Sequence, residues 1–318
     1  LVSPPKRPYS QKVSEFRIAI AMQCYINEYI YTQTSEEIIC LKRLERDVKS
    51  SLRLSNQPDI DDVITLASYK RLIDFDWFEQ IHFPLSIAEL QRQQILEPIE
   101  ELHHCKQIPT FGKIDKETSV DVRAQYEAHP YPKWVNTDSQ SKNRSIRQIF
   151  QNPKLCLKIC NEEIFDIKRP EILIAGCGTG QETIELSQLH SNCNILAIDL
   201  SLRSLAFSKR KANELGIQNI IHVQADILDL VKLGKKFHII YCSGVLHHMS
   251  NPFEGWRALE KCLHDGGLMQ IGLYSELARA EVVKLRNEIL KLKIQTSEPE
   301  MKAFRSSLIE NYDYKTSS

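Results

Sequence analysis

Two regimes of apolar spacing divide the chain. Up to about residue 116, apolar side chains recur at helical intervals. In 12–50 they stand at Phe16, Ile18, Ile20, Met22, Ile26 and Ile30, with no Pro or Gly between them. Ser35-Glu36-Glu37 supplies the polar and acidic residues that favour a helix start. Further helical spacing covers 60–75 and 86–105, where Leu90, Ile95, Leu96 and Ile99 form a stripe and Pro98 is expected to kink or stop the helix. The stretch 108–115 reads as a loop, and a helix over 117–128 ends at His129-Pro130-Tyr131-Pro132. No strand is expected in 1–116.

From residue 146 the pattern changes. A helix over 146–160 leads into strands predicted at 171–176, 194–199, 219–224, 237–243 and 267–274. Helices are predicted between and after them at 180–189, 203–215, 252–264 and 276–292. Such alternation requires right-handed crossovers and a parallel sheet covered on both faces. The expected fold class is therefore α/β, a doubly wound Rossmann-like sheet with an α-helical N-terminal cap. The expected boundaries are a helical cap over 1–116, a linker or lid over 117–145 and the sheet domain over 146–318. Ligands of such sheets sit at the carboxyl ends of the strands.

The candidate chemistry lies at those ends. Glu171-Ile-Leu-Ile-Ala-Gly176-Cys177-Gly178-Thr179-Gly180 is a short buried strand running into a glycine turn, where backbone can approach a ligand closely. Asp199 ends the next strand, placed to accept hydrogen bonds from both hydroxyls of a ribose. Asp226 follows the third strand, where it can meet an adenine amino group with Ile227 against the ring. The fourth strand ends in Cys242-Ser243-Gly-Val-Leu-His247-His248, and Gly266-Gly267 feeds the fifth. An adenosine-containing ligand follows from these residues. A nicotinamide dinucleotide is one alternative, although its Gly-x-Gly-x-x-Gly fingerprint would place the third glycine one residue later than Gly180.

Composition narrows the partners. The chain has 318 residues, 41 basic and 41 acidic, so net charge makes no case for nucleic acid or an anionic membrane. No apolar run reaches the roughly 20 residues of a spanning helix. Nine cysteines are scattered without a Cys-x-x-Cys pair, which suits a reducing cytoplasm and offers no four-ligand metal spacing. Cys156 and Cys160 would share a helix face, and His103-His104 adjoin Cys105, but no metal is expected. The chain starts at Leu1 and ends in the polar run Tyr312–Ser318, which reads as a piece of a longer open reading frame.

In order and spacing, these segments resemble the class I S-adenosylmethionine-dependent methyltransferases over residues 145–290. Gln125-Tyr126-Glu127-Ala-His-Pro130-Tyr131-Pro132-Lys-Trp134 is similar to a segment of a bacterial methyltransferase group often fused to tetratricopeptide repeats, as are 93–101 and 272–279. The resemblance implies S-adenosyl-L-methionine as cofactor. Gly176, Cys177, Gly178 and Gly180 would hold the methionine part and ribose, Asp199 the ribose hydroxyls, and Leu200 the adenine. Asp226 and Ile227 would take the adenine edge and face, and Ser243 would flank the methionine. Tyr126, Glu127, Tyr131 and Trp134 would form a lid or a packing plug, and Tyr274 and Glu276 would meet the acceptor. His247 or His248 could take a proton as general base. His238 and Asp265 depart from the family's usual Asp and Pro without bearing on the cofactor. The family's sheet closes with an antiparallel hairpin, for which 293–318 shows no strand pair, so its last strands are expected to be lacking.

The acceptor expected is a small molecule reacting at O, C or N, since the Asn/Asp-Pro-Pro-Tyr of nucleobase and amide enzymes is absent after the fourth strand. A protein side chain is second choice, and no nucleic-acid or membrane partner is expected. The oligomeric state is left open. A non-catalytic S-adenosylmethionine-binding module of a larger repeat protein is the remaining alternative.

Overall fold

The computed structural model describes residues 11–115, 117–137, 143–190, 192–295 and 297–311. The polar end Tyr312–Ser318 and residues 138–142 of the predicted linker lie outside them. The chain divides into two compact units, one of residues 1–99 with 280–318 and one of residues 100–279. The boundaries expected near 116 and 146 do not coincide with this division.

The first unit is helical. Helices α1 (Gln11–Ile26), α2 (Ser35–Arg53) and α3 (Ile60–Ala67) gather Val48, Val63, Ile64, Leu66, Leu72 and Trp77 into one core. The region read as one helical stretch over 12–50 is broken at 27–34, where Glu28 and Tyr29 adopt left-handed backbone. The helix restarts at Thr34, whose hydroxyl accepts from Glu37 N–H while Glu37 accepts from Thr34 N–H. The helix expected over 60–75 ends at Ala67 and is followed by a 3₁₀ turn, Leu72–Asp74. Helix α4 (Ala88–Gln91) passes through a π turn at Arg92–Leu96 into α5 (Glu97–Gln107). Pro98 therefore does not stop the helix, which accommodates it directly after the π turn. Gln94 stitches this unit: its Nε2 donates to the carbonyls of Ala21 and Ala67, and its Oε1 accepts from Leu72 N–H. After residue 279 the first unit gains α11 (Ala280–Leu292) and α12 (Glu298–Asn311).

The second unit holds the sheet. A two-residue strand β1 (Thr110–Phe111) corrects the expectation of a loop at 108–115 and of no strand before 116. Its pairing with Gln224 and Ala225 comes from 114 residues downstream, which local spacing cannot reveal. Helix α6 (Glu117–Ala128) follows. Helix α7 (Ile146–Phe150) is far shorter than the expected 146–160, since Pro153 forces a 3₁₀ turn at Pro153–Leu155. Cys156 and Cys160 consequently share no helix face.

Strands β2 (Glu171–Ala175), β3 (Asn194–Asp199), β4 (Ile220–Ala225), β5 (Phe237–Ser243) and β6 (Leu263–Gly272) alternate with α8 (Gln181–Leu189), α9 (Leu202–Glu214) and α10 (Pro252–Lys261). All pairings are parallel, in the order β1-β4-β3-β2-β5-β6. Strands β2, β3 and β5 bury apolar side chains on both faces, as a twice-covered parallel sheet requires, while β4 also buries His222 and Gln224. Leu173 and Ala175 join one core layer with Ile198 and Ile240, while Ile172 and Ile174 join the other with Ile195 and Tyr241. Succession runs from β2 out to β4, then returns to β5 and out to β6. The topological switch point therefore falls between β2 and β5, and it positions the site.

Candidate functional site

The carboxyl ends of the strands form a row. Along the sheet stand Asp226 after β4, Asp199 ending β3, the glycine turn after β2, and Ser243 ending β5. Neighbouring strands lie about 4.8 Å apart. Asp199 and Ser243 therefore stand roughly 10 Å apart on either side of the turn.

The turn has its shape because only glycine fits. Gly176 has φ +75° and Gly180 has φ +81°. A Cβ on Gly176 would run into Val245, and one on Gly180 into the Ser208 hydroxyl. Gly180 is also the residue preceding α8, so the turn delivers the helix N-terminus to the crevice. Asp199 is tied directly to this turn. Its Oδ2 accepts from Gly178 N–H at 2.8 Å and its Oδ1 from Ser201 N–H at 2.9 Å. Burial raises its pKa above the ordinary carboxylate range, against the lowering effect of those backbone donors. Asp226 is buried, and its Oδ1 accepts from Leu228 N–H at 2.9 Å while Oδ2 accepts from the Ser119 hydroxyl at 2.7 Å.

Above the row lies a cavity of about 940 Å³. Every residue expected to hold the cofactor is on its wall: Gly176, Cys177, Gly178, Gly180, Asp199, Leu200, Asp226, Ile227 and Ser243. So are Tyr126, Tyr131, His248 and Tyr274. Four carboxylates line it, Glu182, Glu185, Asp199 and Asp226, and no Lys or Arg does among the described residues.

Four expected site residues are elsewhere. Glu127 is a helix cap: its carboxylate accepts from the N–H groups of Leu202 at 2.7 Å and Arg203 at 3.3 Å, the free donors at the start of α9. Trp134 is packed, 9% exposed, beside Ile184 and Phe207, and its Nε1 donates to the Thr179 carbonyl at 3.1 Å. The Thr179 hydroxyl in turn donates to the Pro132 carbonyl at 2.6 Å, so the segment is pinned to the glycine turn. The Tyr131–Pro132 bond is cis. His247 does not reach the cavity wall; it stacks on Tyr274 with ring centroids 3.9 Å apart. Glu276, offered as an acceptor contact, is also absent from the wall.

His248 does face the cavity, with its ring edge-on to Tyr126 at 6.5 Å. Its pKa is lowered, first by burial and then by the Arg279 cation; that of His247 is lowered by burial, His248 and Arg279. Both imidazoles are therefore neutral at pH 7 and His248 can accept a proton. Tyr274 is held from two sides, by His247 and by the Arg279 guanidinium 3.5 Å from its ring centroid. The unusual His238 and Asp265 are not on the wall. His238 Nδ1 accepts from Glu171 N–H at the far end of β2.

Sequence reasoning missed Ser119, Glu182 and Glu185. Glu182 and Glu185 lie one helical turn apart at the start of α8, a signal that reads as ordinary N-terminal acidity. Ser119 meets Asp226 across 107 residues of chain, and nothing local marks it.

Residues 173–269 match the family model described as a methyltransferase domain. The likeness is to a methyltransferase domain, which uses S-adenosylmethionine as cofactor, and the cavity has room for that molecule and an acidic wall. The chain is 32% identical to an uncharacterised protein of Synechococcus sp. over 183 residues, 57% of this chain and 43% of that one. It is 32% identical to a tRNA (guanine-N(7)-)-methyltransferase of Rubrobacter xylanophilus over 87 residues, 27% of this chain and 39% of that one. It is 26% identical to a ubiquinone biosynthesis O-methyltransferase of Acinetobacter baumannii over 152 residues, 47% of this chain and 61% of that one. The matches thus span less than two thirds of each of these relatives.

Proposed function

We propose that the chain transfers a methyl group from S-adenosylmethionine to a small-molecule O, C or N acceptor, with a protein side chain as second choice. The observation that carries the reading is the cavity wall. It has four carboxylates and no cation among the described residues, with Asp199 bonded to the glycine turn. A dinucleotide brings a pyrophosphate, which such a wall repels. A ligand carrying a sulfonium and an ammonium against one carboxylate is favoured by the same field.

When bound, S-adenosylmethionine supplies a methyl group already activated on sulfur. The chain's own residues bind and orient. Asp199 accepts from ribose hydroxyls while the Gly178 amide fixes its carboxylate, and Asp226 and Ile227 take the adenine. Part of the remaining wall is apolar and aromatic, with Val122, Tyr126, Tyr131, Val245, Met249 and Tyr274, beside polar Gln181, Glu185 and Ser250. It suits an acceptor with an apolar body and excludes water from the reacting atoms. His248 holds the proton where the acceptor must lose one. Positioning donor and acceptor in one crevice supplies most of the rate.

The O-methyltransferase relative agrees with an oxygen acceptor. The tRNA methyltransferase relative points the other way, while the balanced charge of this chain makes no case for nucleic acid. Cytoplasmic residence is proposed from the scattered, unpaired cysteines, and membership of the repeat-fused group from the Tyr126–Trp134 segment. The domain order proposed is a helical region, a connecting segment over 117–145, and the methyltransferase domain.

The test supplies methyl-labelled cofactor with a bacterial metabolite extract and, separately, with protein. Label in a small molecule is expected. Label only in acid-insoluble protein would reverse the order of acceptors. Binding without label in either would favour the non-catalytic module.

A further inference from the structure

We infer that the Glu182 carboxylate, held at the cavity wall by Ser243, is the counter-charge for the ammonium at the amino-acid end of the cofactor; this rests on the cofactor reading above.

The row of strand ends sets the direction. With ribose at Asp199, the ligand runs across the glycine turn toward Ser243, roughly 10 Å away. The ammonium therefore arrives on the β5 side of the turn. Strand β2 offers it nothing, because Ile172, Leu173, Ile174 and Ala175 are all apolar. Ser243 is uncharged. The two aspartates of the row stand on the other side of the turn, at the ends of β3 and β4, where they face the ribose and the adenine.

Glu182 is different. It stands second in α8, immediately after the glycine turn, half-buried and on the cavity wall. Its Oε1 accepts from the Ser243 hydroxyl at 3.2 Å. Among the described residues it has no cation within salt-bridge distance. A carboxylate withdrawn from water without a cation is an unfavourable arrangement that a ligand cation would repair. Burial raises the Glu182 pKa, Ser243 offsets this in part, and Glu185 adds to it. Attraction to the helix N-terminus accounts for an acidic residue at this point of α8. It does not account for one turned into the cavity and fastened to the end of β5.

The test compares two ligands by calorimetry on wild-type protein and on Glu182→Gln, which keeps the side chain's size. S-adenosylhomocysteine carries the ammonium; 5′-methylthioadenosine has the same nucleoside and sulfur without the amino acid. The variant should lose about ten- to hundredfold in affinity for the first, the range of a hydrogen bond to a charged group, and under about twofold for the second. Its melting temperature without ligand should stay close to that of the wild type, since the side chain keeps its size and its place beside Ser243. Equal losses for both ligands, or no loss for either, would overturn the assignment while leaving the cofactor reading intact. Failure of the wild type to bind either ligand would sink both.

Discussion

The floor and the roof of the cavity are built by different physics. The floor is backbone: a turn of left-handed glycines, of which Gly176 and Gly180 have no room for a Cβ, with acids at fixed strand ends. The roof is side chains from residues 119–134, and it serves two purposes at once. Tyr126 and Tyr131 face the cavity, while Glu127 and Trp134 fasten the segment to α9 and to Thr179. The lesson is that neighbouring aromatic and acidic residues of one short motif need not share a task. Burial separates them: Tyr131 is 72% exposed and Trp134 9%.

Substitutions along the roof should split accordingly. Trp134→Ala removes a buried ring and its bond to Thr179, and should destabilise the protein by about 3–5 kcal/mol in urea unfolding. Tyr131→Ala should change stability by less than about 0.5 kcal/mol and act instead on acceptor KM. Equal stability losses would erase the distinction between anchor and wall.

The sheet beneath the floor should be the acid-sensitive part. His190 and His222 are buried, and their pKa values are lowered by burial to about 4 each. Unfolded histidine titrates near 6.5, so between 6.5 and 4 the unfolded chain binds protons that the folded chain refuses. Stability is thus complete above pH 6.5 and lost as pH falls toward 4. From pH 7 to pH 5 each histidine should remove about 2 kcal/mol, read as a lower urea midpoint. An unchanged midpoint would mean that the two rings gain protons without unfolding.

A smaller effect tests the roof's second anchor. Glu127→Ala frees two N–H groups at the start of α9 and should cost about 1–2 kcal/mol, the range for a lost cap. Cofactor affinity should follow only through the loosened segment. A loss of affinity with unchanged stability would return Glu127 to the ligand.

What the sequence discloses follows the same division. Strand, glycine turn, Asp199, Asp226 and Ser243 are legible because backbone geometry puts them at consecutive strand ends. Glu127 and Trp134 look like lid residues because their partners, the first amides of α9 and the Thr179 carbonyl, are 45 or more residues away. Glu182 is hidden for another reason: an acid in a first helical turn has an ordinary explanation, and only its bond to Ser243 shows that it faces the cavity. Strand β1 is invisible since two residues carry no periodicity.

Calorimetric titration of S-adenosylhomocysteine and of NAD⁺ into the same protein tests the central claim most directly. An acidic crevice with no cation on its wall among the described residues should bind the first and not the second. Comparable binding of NAD⁺, or none of S-adenosylhomocysteine, would contradict the account.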